Sequence, residues 1–171
     1  MKLRTRSIVT LAAAVTMAAL LTACSPHAGK AAPAPTPTIS GAASGAGISR
    51  EAAAALLNAV PGLSGADIGS VISGLTIETR MEVSVEDDAA ITAPGVLDYV
   101  LRVGWATAVG QKPSSLSLTV WNQGTRLDLQ AQANLISGVD ERAFPLLDSV
   151  YLDNPAYLGT WPGAVPALPA S

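Results

Sequence analysis

Leu75-Thr76-Ile77-Glu78-Thr79-Arg80-Met81-Glu82-Val83-Ser84-Val85-Glu86 is the most regularly patterned stretch of this chain. Leu75, Ile77, Met81, Val83 and Val85 share one parity, and Thr76, Glu78, Arg80, Glu82, Ser84 and Glu86 fill the other. A period of two predicts a half-buried strand, with its apolar side inward and its charged side to water. Thr79 is the one polar residue on the apolar parity.

Glu86, Asp87 and Asp88 follow as adjacent carboxylates. A calcium loop needs ligands at alternating positions and a glycine turn, so this run reads as a solvated strand end. Pro94 suits the first turn of a helix, where its missing N–H is no loss. Val96, Leu97, Val100, Leu101, Gly104 and Ala108 then form one stripe at helical spacing, with Trp105 at its edge as a packed flank residue. Asp98 and Arg102 stand opposite, four apart in the favourable order. Gly110 and Lys112-Pro113 end this helix.

Upstream, Ser49 reads as a helix N-cap with Glu51 in the first turn, and the helix continues from Ala52 to Val60 until Pro61-Gly62 stops it. Residues 63–74 are rich in Gly and Ser and read as a loop, with one helical turn around Asp67 to Ile72. Downstream, Leu116, Leu118 and Val120 alternate with Ser117, Thr119 and Trp121 as a second strand, and residues 122–125 make a turn. Residues 126–137 fit either a strand or a helix from Leu129 to Ile136, capped by Asp128 and stopped at Gly138; their Gln and Ala content favours the helix. Ser149 to Leu152 is a last strand, and residues 155–171 form an irregular tail. The implied fold class is α+β: a small single-domain sandwich over residues 49–171, with a sheet of three or four strands and helices packed on one face.

The start of the chain is of another kind. Lys2, Arg4 and Arg6 precede an apolar run from Ile8 to Ala23, which as a helix spans about 24 Å, short for a bilayer crossing. That pattern describes a secretory signal. The only cysteine, Cys24, directly follows Leu21-Thr22-Ala23. These residues resemble the lipobox of bacterial lipoproteins. The resemblance implies that residues 1–23 are a cleaved signal peptide and that Cys24 carries a diacylglyceryl group. It also implies that the mature protein is held on the extracytoplasmic face of the cell membrane. Two acyl chains suffice for such residence where one is marginal. From Ser25 to Gly47 the sequence is mostly Pro, Ala, Gly, Thr and Ser with almost nothing large, and Pro33, Pro35 and Pro37 alternate, so residues 24–48 read as a disordered tether. Leu158-Gly159-Thr160-Trp161-Pro162-Gly163 resembles small actinobacterial exported domains of unassigned function, and the Ala- and Gly-rich composition points to a high-GC genome.

Composition restricts the chemistry. Loss of the leader takes three basic residues with it, leaving seven Lys and Arg against thirteen Asp and Glu. That balance argues against nucleic acid as a partner. The only histidine, His27, falls in the tether, which removes His-dependent catalytic and metal arrangements from the folded part. Nucleophile-elbow, Ser-x-x-Lys, phosphate-loop and dinucleotide glycine motifs are missing from the sequence, and no cofactor is expected. The expectation is therefore a non-enzymatic interaction module for a cell-envelope protein or wall component, with Trp121, Tyr151, Tyr157 and Trp161 as anchoring aromatics. The alternative is a carrier for a lipid or other small apolar ligand, which needs a cavity of about 300–1,000 Å³ between sheet and helices.

Overall fold

The alternating stretch is the strand around which the sheet is built. In the computed structural model, which describes residues 47–143, 149–153 and 155–169, it forms β2, Thr76–Val85. Thr79, Met81, Val83 and Val85 are buried, and Arg80 and Glu82 are exposed, as the alternation requires. Cys24 and the tether lie outside the described residues.

Three further strands and a short hairpin arm complete a mixed sheet. β1, Leu63–Ser73, pairs antiparallel with β2, and β3, Ser115–Asn122, pairs parallel with its other edge. β4, Thr125–Arg126, and β5, Val150–Leu152, both pair antiparallel with β3. The sheet thus has five strands, where the alternation alone predicts three or four. The extra long one is β1, which replaces the expected loop and helical turn over residues 63–74. Its apolar residues miss a period of two because a bulge falls between Ser64 and Asp67, where Gly65 takes a positive φ of 59°. Pairing with β2, not intrinsic preference, makes this Gly- and Ser-rich stretch a strand.

A parallel β2–β3 pair needs a crossover, supplied by α2, Asp88–Thr92, and α3, Val96–Ala106. The acidic run is therefore more than a solvated strand end. Asp87 caps α2 by accepting the Ala89 N–H (2.9 Å), and Asp88 Oδ1 accepts from Asn122 Nδ2 (2.6 Å). Pro94 lies outside α3: it forces Ala93 to extended backbone (ψ 147°), ending α2, and Gly95 at φ 80° caps the next helix. α3 also stops at Ala106, short of Ala108, because Ile48 pairs with this segment. The Ile48 N–H donates to Ala106 O (2.9 Å), and the Ala108 N–H donates to Ile48 O (2.8 Å).

α1, Arg50–Asn58, starts at Ser49, whose hydroxyl accepts the Ala52 N–H (3.1 Å), and it buries Ala53 and Leu57. α4, Gln130–Ser137, is the helix preferred for the ambiguous stretch, with Gly138 in a left-handed C-cap. Its cap position falls on Leu129; Asp128 Oδ1 accepts the Gln130 N–H (3.3 Å) from one residue further out. A 3-10 turn, Pro155–Leu158, opens the otherwise irregular tail.

Parity divides the sheet into two faces. Rows such as Ile68–Met81–Leu118–Val150 and Thr79–Leu116–Leu152 run across the strands into the core. α3 covers this face: nine of its residues are buried, and at Gly104 a Cβ would run into Met81 Sδ. Trp105 packs at the flank and donates from Nε1 to Gly159 O (3.1 Å).

Two substitutions follow from this packing. Gly104→Ala forces Met81 or α3 to shift, with an expected loss of about 1–3 kcal/mol in denaturant unfolding. Thr79 is fully buried, and among the described residues its hydroxyl has no hydrogen-bond partner. Thr79→Val should therefore raise stability by about 1 kcal/mol, measured in the same way.

Candidate interaction surface

The opposite parity builds the other face of the sheet, which among the described residues no helix covers with its buried stripe. Its rows are Val71–Glu78–Ser115, Gly69–Arg80–Ser117–Tyr151, Asp67–Glu82–Thr119 and Ser64–Ser84–Trp121–Arg126. These are the polar halves of the strand alternations, half-buried or exposed for the most part.

Glu78 is the electrostatic centre of the upper rows. Its Oε1 accepts from Ser117 Oγ (2.8 Å) and from Arg80 Nε and Nη2 (3.4 and 3.3 Å). The Arg80 side chain is 53% exposed, so this ion pair fixes orientation more than it adds stability. Around the pair lies a shallow cleft of about 590 Å³, lined by Val71, Ser73, Thr76, Glu78, Arg80, Ser114, Ser115, Tyr151 and Asp153. It has both charge signs, hydroxyls and one aromatic ring, a lining suited to an extended polar segment more than to an apolar guest.

Four residues along β3 from the row of Tyr151, about 13 Å away, Trp121 is half-exposed on the same face. The Arg126 guanidinium lies 5.0 Å from its ring centroid. Gln123 and Gly124, both at positive φ (49° and 83°), form the tight turn that brings Arg126 back over Trp121. The pair gives an amphipathic platform worth about 0.5–1 kcal/mol in mutual attraction.

Tyr151 is held from behind. Gln130 on α4 accepts the Tyr151 N–H at Oε1 (2.6 Å) and donates from Nε2 to Tyr151 O (3.0 Å), pairing with β5 as another strand would. Gln130 also donates to Asn134 Oδ1 (2.8 Å), and Asn134 Nδ2 donates to the carbonyls of Glu141 and Ala143 (3.1 and 2.7 Å). This buried amide network sets the position of the short strand that carries the tyrosine.

Of the four aromatics singled out in the sequence, Trp121 and Tyr151 share the open face. Tyr157 and Trp161 lie on the helical side, partly buried against the core. Burial pushes the Tyr157 phenol well above its ordinary value; the Asp98 carboxylate adds to that shift and Arg102 opposes it. Asp98 and Arg102 form the anticipated i,i+4 pair on α3 (2.8 Å). The Gly163 N–H donates to Trp105 O (3.1 Å), so the segment after Trp161 also lies on α3. Glu78, Arg80, Ser117, Arg126 and Asp153 carry the face without having been singled out. For the first three, the solvent parity of the strands was the available signal; for Arg126 and Asp153 no local pattern exists.

Comparison with protein-family models, curated proteins and solved structures finds no match to this chain. Among the described residues no helix is long and apolar enough to cross a membrane.

Gln130→Ala removes the staple on β5 and leaves both Tyr151 backbone groups and Asn134 short of partners. The expected cost is about 2–4 kcal/mol. In native-state hydrogen exchange, the Tyr151 amide should lose protection before the β2–β3 ladder does.

Proposed function

We propose that the protein is an extracytoplasmic lipoprotein, anchored through a lipid on Cys24, whose folded domain is a non-enzymatic interaction module. The open sheet face binds an extended segment of a cell-envelope protein or wall component. The observation that carries this reading is the contrast between the two faces. One is filled by α3 down to a glycine-on-methionine contact, and the other presents the Glu78–Arg80 cleft and the Trp121–Arg126 platform side by side.

The filled face also weighs against the carrier alternative, because a guest between sheet and helices would have to displace α3 from Met81. The cleft itself offers little for catalysis. Glu78 is engaged by Arg80 and Ser117, and the Ser114 hydroxyl donates to Ile77 O (3.1 Å). The lipobox resemblance of Leu21-Thr22-Ala23-Cys24, the charge of the leader and the composition of residues 25–47 support the anchor and tether. The actinobacterial type of the chain rests on the tail resemblance and the composition.

A photoreactive residue at Thr119, on the open face, should crosslink a discrete partner in intact cells, whereas the same residue at Glu51 on α1 should not. Trp121→Ala should weaken that association by roughly 30-fold, the effect of losing an interface hot spot of about 2 kcal/mol. Crosslinks from position 51 alone, or an apolar small molecule co-purifying with the chain, would defeat the proposal.

A further inference from the structure

Among the described residues, the β1–β2 hairpin runs past the ends of α1 and β3. α1 lies antiparallel to β1: Asn58 Oδ1 accepts the Ala66 N–H (3.0 Å) near one end, and Arg50 Nη2 donates to Ser70 Oγ (3.2 Å) near the other. The helix and the Ala66–Ser70 segment both measure about 13 Å, so α1 begins level with Ser70. β3 begins at Ser115 opposite Glu78, and its last link upward is the Ser114 N–H on Ile77 O (2.8 Å). Residues 71–76 therefore continue past β3 as a two-stranded tip turned at Gly74-Leu75; Val71, Ser73 and Thr76 still line the end of the open-face cleft, and Ile72 and Leu75 do not. The tip is aliphatic: Leu75 is fully exposed, Ile72 is 71% exposed and Val71 38%. The other exposed large aliphatics fall in or just after α4 and in the C-terminal tail.

Two independent features say what this tip meets. The first is where the chain enters the domain. Ile48 is paired with Ala106 and Ala108, beside the loop that leads to Ser114, so the chain enters the described domain at the hairpin end. On the tether reading of the sequence, residues 24–47 would span about 25–29 Å as a coil and more if extended, enough for a tip about 13–17 Å beyond Ser70 to reach the surface that holds Cys24. The second is charge. Glu86, Asp87 and Asp88 lie past the far end of β2, about 33 Å from Thr76, which is about four Debye lengths at physiological salt. The hairpin end instead has Arg50, Arg80 and the exposed Lys112, with Glu51, Glu78 and Asp153 as its acidic residues and Glu78 paired to Arg80.

We propose that the hairpin tip is a second membrane contact, laying Ile72 and Leu75 into the interfacial region of the phospholipid bilayer. The inference rests on the anchor reading given above. With the lipid and the tip both engaged, the domain stands on its hairpin end. The acidic end then points away from anionic headgroups, and the open sheet face is turned sideways toward a partner.

The test uses the full chain, produced in a lipidating bacterial host and reconstituted in phosphatidylcholine–phosphatidylglycerol vesicles. Leu75→Cys and, as a control at the far end of β2, Glu86→Cys receive an environment-sensitive fluorescent thiol probe. The probe at position 75 should brighten severalfold, shift to shorter wavelength and be quenched by lipids spin-labelled near the headgroup, while the probe at position 86 stays solvent-like. Matching solvent-like emission at both positions would overturn the proposal. So would a shift at position 75 that appears without vesicles and grows with protein concentration, which would make a second copy of the chain the occupant. The anchor reading is scored separately by label count. One probe per chain means Cys24 is acylated; two means it is free, and the anchor and this proposal then fall together.

Discussion

At Gly104 the backbone of α3 comes so close to Met81 that no methyl group fits between them, and the rest of the molecule follows from that approach. It seats the helix directly on the sheet and lets Val100, Leu101 and Val103 reach full burial. It also leaves no gap between helix and sheet at Met81. A domain this small has one core, and once that core is committed to the α3 side the other face of the same strands is left to water and partners. The parallel β2–β3 pair reinforces the division, because its crossover has to pass through α2 and α3 on the covered side.

The polar interior obeys the same economy. Gln130 serves the outer edge of β5 with one donor and one acceptor, and Asn134 ties the following loop to α4 through two carbonyls. A three-residue strand at a sheet edge is a weak element by itself, and the side-chain amide makes Tyr151 a fixed part of the open face. Thr79 is an exception, a buried hydroxyl on the core parity with no partner among the described residues, and the Tyr157 hydroxyl and Trp161 Nε1 are likewise unpartnered there.

The surface features are distributed along the long axis of β2. One end carries an aliphatic hairpin tip with three basic and three acidic residues around it, and the other carries the acidic run that caps α2 and holds Asn122. Between them the open face presents a mixed-charge cleft and an arginine-covered tryptophan. On the proposed reading, the aliphatic tip would face the membrane that holds the anchor and the open sheet would be left for a partner.

Much of this was legible along the chain, because it depends on neighbours. The two-faced alternation of β2, the Ser49 cap, the Asp98–Arg102 pair, the α4 stop at Gly138 and the last strand are all set by residues within a few positions of one another. The polar lining of the open face was partly legible too, as the solvent parity of β2 and β3. β1 was not, since a Gly- and Ser-rich stretch with a bulge becomes a strand only when β2 supplies its hydrogen bonds. Nor could sequence place Tyr151 on the open face and Tyr157 beside Asp98 and Arg102, or bring Gln130 to β5 across 21 residues. Local periodicity and capping belong to the sequence. Which face stays open, and what stands on it, belongs to contacts between residues far apart in the chain, and only the tertiary structure decides those.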